Sequence, residues 1–265
     1  MKSTRIESRF NPLRRFLIGA ALTALSLVGL PPAAPAQPAT AAASTQPSAA
    51  DLRRWVGQLD DANPEVRESA AQLLMTLSRD DLDALRDAAA SLRPLSSGQL
   101  AALREAVMQV FLESEPYAPD PKLGFLGIHW PPSDYDTGDI KYDTGVIVAD
   151  RIPGFGAYRL LRPGDVIVKL LDFPNSDLHK RDGLIRPITM LRPGDVLRLQ
   201  VLRGGRLIDV SVTLAPKPME LADPASAPQK YQSWLDSRMQ KAEQYWNDSF
   251  GALTRDLAQT SETQP

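Results

Sequence analysis

From Asp51 onward the apolar residues recur at steps of three and four. Leu52, Trp55, Val56 and Leu59 fall on one helical face, and Val66, Ala70, Leu73, Leu74 and Leu77 on another. A third run, Leu82, Leu85 and Ala89, stops at Arg93-Pro94. A fourth, Leu100, Leu103, Val107 and Phe111, starts behind Ser96-Ser97-Gly98. These runs predict a small helical domain over residues 51–114. The proline-rich stretch "EPYAPDPKL" (Glu115–Leu123) then marks a boundary. Beyond it the period changes to two. "GVIVADRI" (Gly145–Ile152), "VIVKLL" (Val166–Leu171), "VLRLQVLR" (Val196–Arg203) and "RLIDVSVTL" (Arg206–Leu214) read as strands rich in Val, Ile and Thr. In the last, Ile208, Val210, Val212 and Leu214 alternate with Asp209, Ser211 and Thr213, the pattern of a half-buried strand. Gly204-Gly205 between the last two runs is a two-residue hairpin signal. After a Pro/Ala-rich linker at 217–228, an amphipathic helix is predicted over 229–259. Its stripe is Tyr231, Leu235, Met239, Ala242, Trp246, Phe250, Leu253 and Leu257. That stripe must be buried, either on the chain's own helical domain or in a coiled coil, partner or homo-oligomer contact.

The hexapeptide "LRPGDV" occurs twice, at Leu161–Val166 and Leu191–Val196. The flanks of the two copies do not correspond, so an internal duplication is not indicated. What they share is turn chemistry. Pro presets φ for the second position, Gly accepts positive φ at the third, and Asp can bind local N–H groups. Each copy is expected to launch a strand.

Composition adds an export signal and removes several chemistries. The 265 residues carry a formal net charge of −2, but the first 36 are basic, with Lys2, Arg5, Arg9, Arg14 and Arg15 against Glu7. Those residues continue into the apolar run "FLIGAALTALSLVGL" and then "PPAAPAQPA", with Ala34-Pro35-Ala36 as a small-x-small cleavage pattern. This order reads as a signal peptide over 1–36, cleaved near Ala36 and followed by a flexible linker over 37–50. The apolar run is shorter than the ~20 residues of a usual membrane span, so no stable span is expected after cleavage. A periplasmic or secreted location follows, by Sec or Tat. The acidic remainder excludes nucleic acid as a natural partner. With no cysteine in the chain, disulfides, a lipobox anchor, thiolate zinc sites and a cysteine nucleophile are all excluded.

The segment 120–216 resembles a PDZ domain of the bacterial HtrA/Deg type. "GFLGI" (Gly124–Ile128) is similar to that family's carboxylate-binding loop. "GVIVADRIPGFGAYRLLRPGDVIVKLLDFP" is similar to its long middle signature, and "LRPGDVLRLQVLRGGRLIDVSVTL" to its closing strand pair. "DDANPEVRESAAQLL" resembles the start of a HEAT-repeat helix, with Pro64 in the first helical turn. The resemblance implies a multi-domain α+β protein. A HEAT-like helical domain would precede a PDZ-like β-barrel or sandwich with one or two short helices, and a C-terminal amphipathic helix would follow. It further implies that peptides add as a strand beside Leu126–Trp130, their terminal carboxylate on the N–H groups of Leu126, Gly127 and Ile128. Phe125, Leu126, Gly127, Ile128 and His129 would form the strand side, and Leu184, Ile185 and Ile188 the helix wall. Lys122 reads as a solvated lysine beside the loop. The chain departs from the family at Phe155-Gly156 and Leu160. It also departs in the groove helix, where Gly183 and Pro187 predict a short helix starting near Leu184.

No catalytic constellation accompanies this resemblance. The residues before the PDZ-like segment are helical and too few for the trypsin-like domain of HtrA/Deg proteases. The two histidines, His129 and His179, lack a Gly-x-Ser-x-Gly elbow and a zinc-ligand spacing. "GFGAYR" lacks the context of a phosphate loop, and "DYDTGDIKYD" (Asp134–Asp143) lacks the calcium-loop pattern and reads as a solvated loop. No cofactor or metal is expected. The expectation is an exported, non-enzymatic adaptor or scaffold that binds C-terminal or extended segments of envelope proteins. The alternatives are an assembly protein whose PDZ-like fold has lost peptide binding, and a regulatory subunit or remnant of a periplasmic PDZ protease.

Overall fold

The computed structural model describes residues 46–130, 145–178, 181–221 and 228–254. The signal region, Asp134–Asp143, His179 and Leu257 lie outside them. The protein is mixed α+β with open sheets. Its first helices start at residues that satisfy first-turn N–H groups. Ser48 opens α1 (Ala49–Gln58) in a capping box with Asp51, and Ser96 does the same with Gln99 for α4 (Ser97–Ser114). Asn63 accepts from the Glu65 N–H ahead of Pro64 at the start of α2 (Pro64–Leu74). A short 3₁₀ turn at Arg79–Asp81 leads into α3 (Leu82–Ala90). The apolar faces of these helices meet in one core around Leu52, Val56, Leu74, Leu82, Leu85 and Leu103.

The C-terminal helix α7 (Pro228–Phe250) completes that core with Trp246 and Phe250, and Leu253 follows in a 3₁₀ turn. Trp246 and Phe250 stack at 5.2 Å, Phe111 and Tyr245 at 4.7 Å, and Arg104 pairs with Glu243. The stripe is therefore buried within the chain from Ala242 to Leu253, while Tyr231, Leu235 and Met239 are half-buried. Arg238 extends this contact: 6% exposed, it donates to the carbonyls of Leu112 (2.5 Å) and Glu115 (3.2 Å) at the end of α4. A cation there complements the carbonyl end of the helix.

The remaining elements surround a second core that includes Leu126, Ile128, Ile167, Leu184, Leu197, Leu199, Val201 and Val212. Strands β3 (Val146–Ile147), β5 (Val166–Leu170), β6 (Val196–Arg203) and β7 (Arg206–Thr213) form an antiparallel sheet in the order β3-β5-β6-β7. The β6–β7 hairpin turns at Gly204-Gly205 with Arg203 opposite Arg206. Leu197, Leu199 and Val201 are buried while Arg198 is exposed, as a half-buried strand requires. Two further pairs flank the sheet: β1 (Pro119–Phe125) with β8 (Ala215–Pro218), and β2 (Ile128–His129) with β4 (Asp150–Arg151). A short α5 (Gly156–Leu160) follows β4, and α6 (Arg181–Met190) connects β5 to β6.

Two expectations change here. Residues 217–218, expected in a linker, belong to β8. Prolines suppressed the strand signal on both β1 and β8, yet proline is tolerated in pairs outside a central sheet. Helix α6 also starts at Arg181 rather than near Leu184, which puts Pro187 inside it. Pro187 forgoes one intrahelical bond, but it is buried beside Leu184 and Ile188, and tertiary burial outweighs the lost donor. At Gly183 a Cβ would lie 1.8 Å from the Asp177 carbonyl oxygen, so only glycine lets the incoming chain lie against this helix.

The two "LRPGDV" copies are the same turn in two settings. Gly164 and Gly194 have φ of 87° and 90°. The N–H of Asp165 bonds Arg162 O and that of Asp195 bonds Arg192 O, both at 3.1 Å. Each Asp carboxylate accepts from the turn's first N–H, at 2.8 Å from Arg162 and 2.7 Å from Arg192. The settings then diverge. Asp165 is 2% exposed and paired with Arg203 at 2.7 Å, whereas Asp195 is exposed.

Candidate peptide-binding groove

The chain leaves β1 at Phe125 and enters β2 through Gly127, whose φ is +78°. A Cβ on Gly127 would lie 2.5 Å from the Phe155 Cβ, so this turn requires glycine for both conformation and space. Phe155, 1% exposed, is the platform beneath the loop. The Phe125 ring meets it edge-on at 4.9 Å, and the Tyr117 and Trp234 rings lie 5.9 and 6.5 Å away. Gln109 of α4, fully buried, holds the platform's backbone: its Oε1 accepts from the Gly154 N–H at 2.7 Å and its Nε2 donates to the Phe155 carbonyl at 3.2 Å.

Strand β2 has different neighbours on its two edges. The Gly127 carbonyl accepts from Ile152 N at 2.8 Å and the His129 carbonyl from Ala149 N at 2.9 Å, so both face β4. Backbone groups alternate along a strand. Those of Ile128, which lies between them, are thereby directed to the other edge of β2, towards α6. Between that edge and α6 lies a groove of about 420 Å³. Its strand side is Gly124–Trp130 and its helix side Ile185, Ile188 and Thr189, with Ile152, Lys217 and Tyr231 on the rim.

Phe125, Leu126, Gly127, Ile128 and His129 line this groove, and Ile185 and Ile188 face them across it. Leu184 does not. It is fully buried in the β-domain core, because one residue before Ile185 rotates a helical side chain by about 100°. Lys122 is exposed and outside the groove, and the lysine on its rim is Lys217. Lys217 gave no signal because it sits between two prolines in the segment read as a linker. Tyr231 carried a partial one, as the first member of the tail-helix stripe.

Tyr231 is also where α7 meets the groove. Its ring lies edge-on to His129 at 5.5 Å, and its hydroxyl contacts His129 Nε2. Burial lowers the His129 pKa, partly opposed by Asp150, while burial and then Asp150 push Tyr231 up to about 12. Both are therefore neutral near pH 7. Either the tyrosine O–H donates to Nε2 or a proton on Nε2 is donated to the tyrosine oxygen, so in both tautomers the contact occupies Nε2. Among the described residues no three His, Asp or Glu side chains are grouped to hold a metal.

No protein-family model matches the chain, and no curated protein matches it. Among solved structures, it is similar to HtrA-type protease AlgW with a tripeptide. That match has 22% identity and a TM-score of 0.31, over 36% of this chain and 32% of that one. A variant of AlgW with a decapeptide matches at 23% identity and a TM-score of 0.30, over 46% of this chain and 38% of that one. The chain thus spans less than two-fifths of the length of these structures.

Proposed function

We propose that residues 120–216 form a PDZ-type module that binds the C-terminus of an extended peptide by strand addition, and that the protein is an exported, non-enzymatic adaptor. One observation carries this reading: the edge of β2 that is turned away from β4 borders an open, mostly apolar groove opposite α6. A peptide strand on that edge would gain main-chain bonds to Ile128 and place alternate side chains against Ile185 and Ile188. The loop Leu126–Ile128, tightened by Gly127, would present N–H groups to the terminal carboxylate. The tail helix supports this reading, since Tyr231 joins the rim and the groove stays open. His129, whose Nε2 is engaged by Tyr231, is better suited to shaping the groove than to proton transfer. The HEAT-like helices and α7 would serve as the base that carries the module. No helix among the described residues is long and apolar enough to cross a membrane.

An array of free-acid C-terminal peptides probed with the full chain tests the proposal. A subset should be retained, amidation of the terminus should weaken it, and Ile185→Arg should abolish it with an unchanged circular dichroism spectrum. Retention of no peptide, or equal retention by Ile185→Arg, refutes the groove as the binding site.

A further inference from the structure

The groove has a second face that the peptide reading leaves unused. Side chains alternate along a strand. Leu126 and Ile128, 3% and 5% exposed, point into the core. Phe125 meets Phe155, which lies near Trp234 of α7, and His129 meets Tyr231 of α7, so both side chains lie on the α7 side of the groove. Ala215 is the cross-strand partner of Phe125. Lys217, two residues further along β8, shares the face of Ala215, since the register slip lies on β1 and not on β8. Phe125, His129, Tyr231 and Lys217 thus converge on one outward side of the groove mouth.

Lys217 is the one lysine or arginine lining this groove among the described residues. Its ammonium has no ion-pair partner there. Asp120, its cross-strand neighbour, instead accepts from the Lys122 backbone N–H at 2.9 Å. A peptide strand on the β2 edge would alternate in the same way. Its terminal side chain would enter between Ile128 and Ile188, and its penultimate side chain would turn outward.

Resting on the peptide-binding reading above, we propose that Lys217 and Tyr231 form an outward subsite that reads the penultimate residue of the bound C-terminus and selects an acidic side chain. Tyr231 supplies an apolar wall for the methylenes and Lys217 the countercharge. The tail helix and β8, which lie beyond the 120–216 module or at its end, thereby determine specificity in addition to holding the fold.

The test uses the full chain and a library of free-acid peptides randomised at the last four positions. Aspartate and glutamate should be enriched at the penultimate position, and Lys217→Glu should replace that enrichment with lysine and arginine. For single peptides differing only there, glutamate should bind about two- to fivefold more tightly than alanine, the range of a solvent-accessible ion pair. This margin should shrink with added salt. Tyr231→Ala should narrow it as well. No charge preference at the penultimate position, or one that survives Lys217→Ala, overturns the subsite while leaving terminal recognition standing. Enrichment at none of the four positions overturns both readings.

Discussion

Replacing Gln109 by leucine tests whether the helical part of the chain holds up the groove loop. Gln109 is on α4, 45 residues before Gly154, yet its amide satisfies both the Gly154 N–H at 2.7 Å and the Phe155 carbonyl at 3.2 Å. Leucine keeps much of the volume and removes both bonds. Two backbone groups in a dry site are then orphaned, at about 1–3 kcal/mol each. The expected loss is therefore about 2–6 kcal/mol, a large share of the ~5–15 kcal/mol that stabilises a typical domain. Urea unfolding followed by circular dichroism should show a midpoint lower by about 1–3 M at unchanged slope. Hydrogen exchange supplies a local reading, since the Gly154 amide should lose protection before the strands β6 and β7 do. A Gln109→Leu protein within about 0.5 kcal/mol of the parent, with the Gly154 amide still protected, would refute the reasoning.

Three further outcomes follow from the geometry. Gly127→Ala should destabilise by about 2–5 kcal/mol in chemical denaturation, combining a left-handed backbone penalty with overpacking against Phe155, and should weaken any bound peptide in parallel. Asp165→Ala should cost about 3–5 kcal/mol by stranding Arg203, while Asp195→Ala, in the same turn but exposed, should cost about 1 kcal/mol; equal losses would contradict the difference in setting. For His129 the buried imidazole disfavours the charged form, so the unfolded chain takes up protons first as the pH falls. Stability should be full above about pH 6.5 and decline as the pH falls below it, and His129→Gln should flatten that decline. That onset lies above the range of Glu115, whose carboxyl is held below its usual value chiefly by the Lys241 hydrogen bond.

Local pattern by itself determined the four N-terminal helices, the β6–β7 hairpin, the two strand-launching turns and the loop Phe125–Ile128. Each depends on residues close in sequence: apolar spacing, Ser and Asn caps, Pro-Gly-Asp turns, and a glycine that must take positive φ. It also marked the side of the tail helix that had to be buried. Tertiary structure decided what covers each face. Leu184 belonged to the core and Ile185 to the groove because only the docking of α6 sets its rotation. Pro187 stayed inside a helix because burial outweighed one missing hydrogen bond. Proline-rich β1 and β8, silent as strands, found each other across the β-domain and brought Lys217 to the rim. Tyr231, about a hundred residues from His129 in sequence, reached it only because Trp246 and Phe250 seated the far end of α7 in the helical core. Periodicity records which side of an element avoids water. Which distant surface meets that side depends on how the whole chain packs, and that is where the groove acquired its rim.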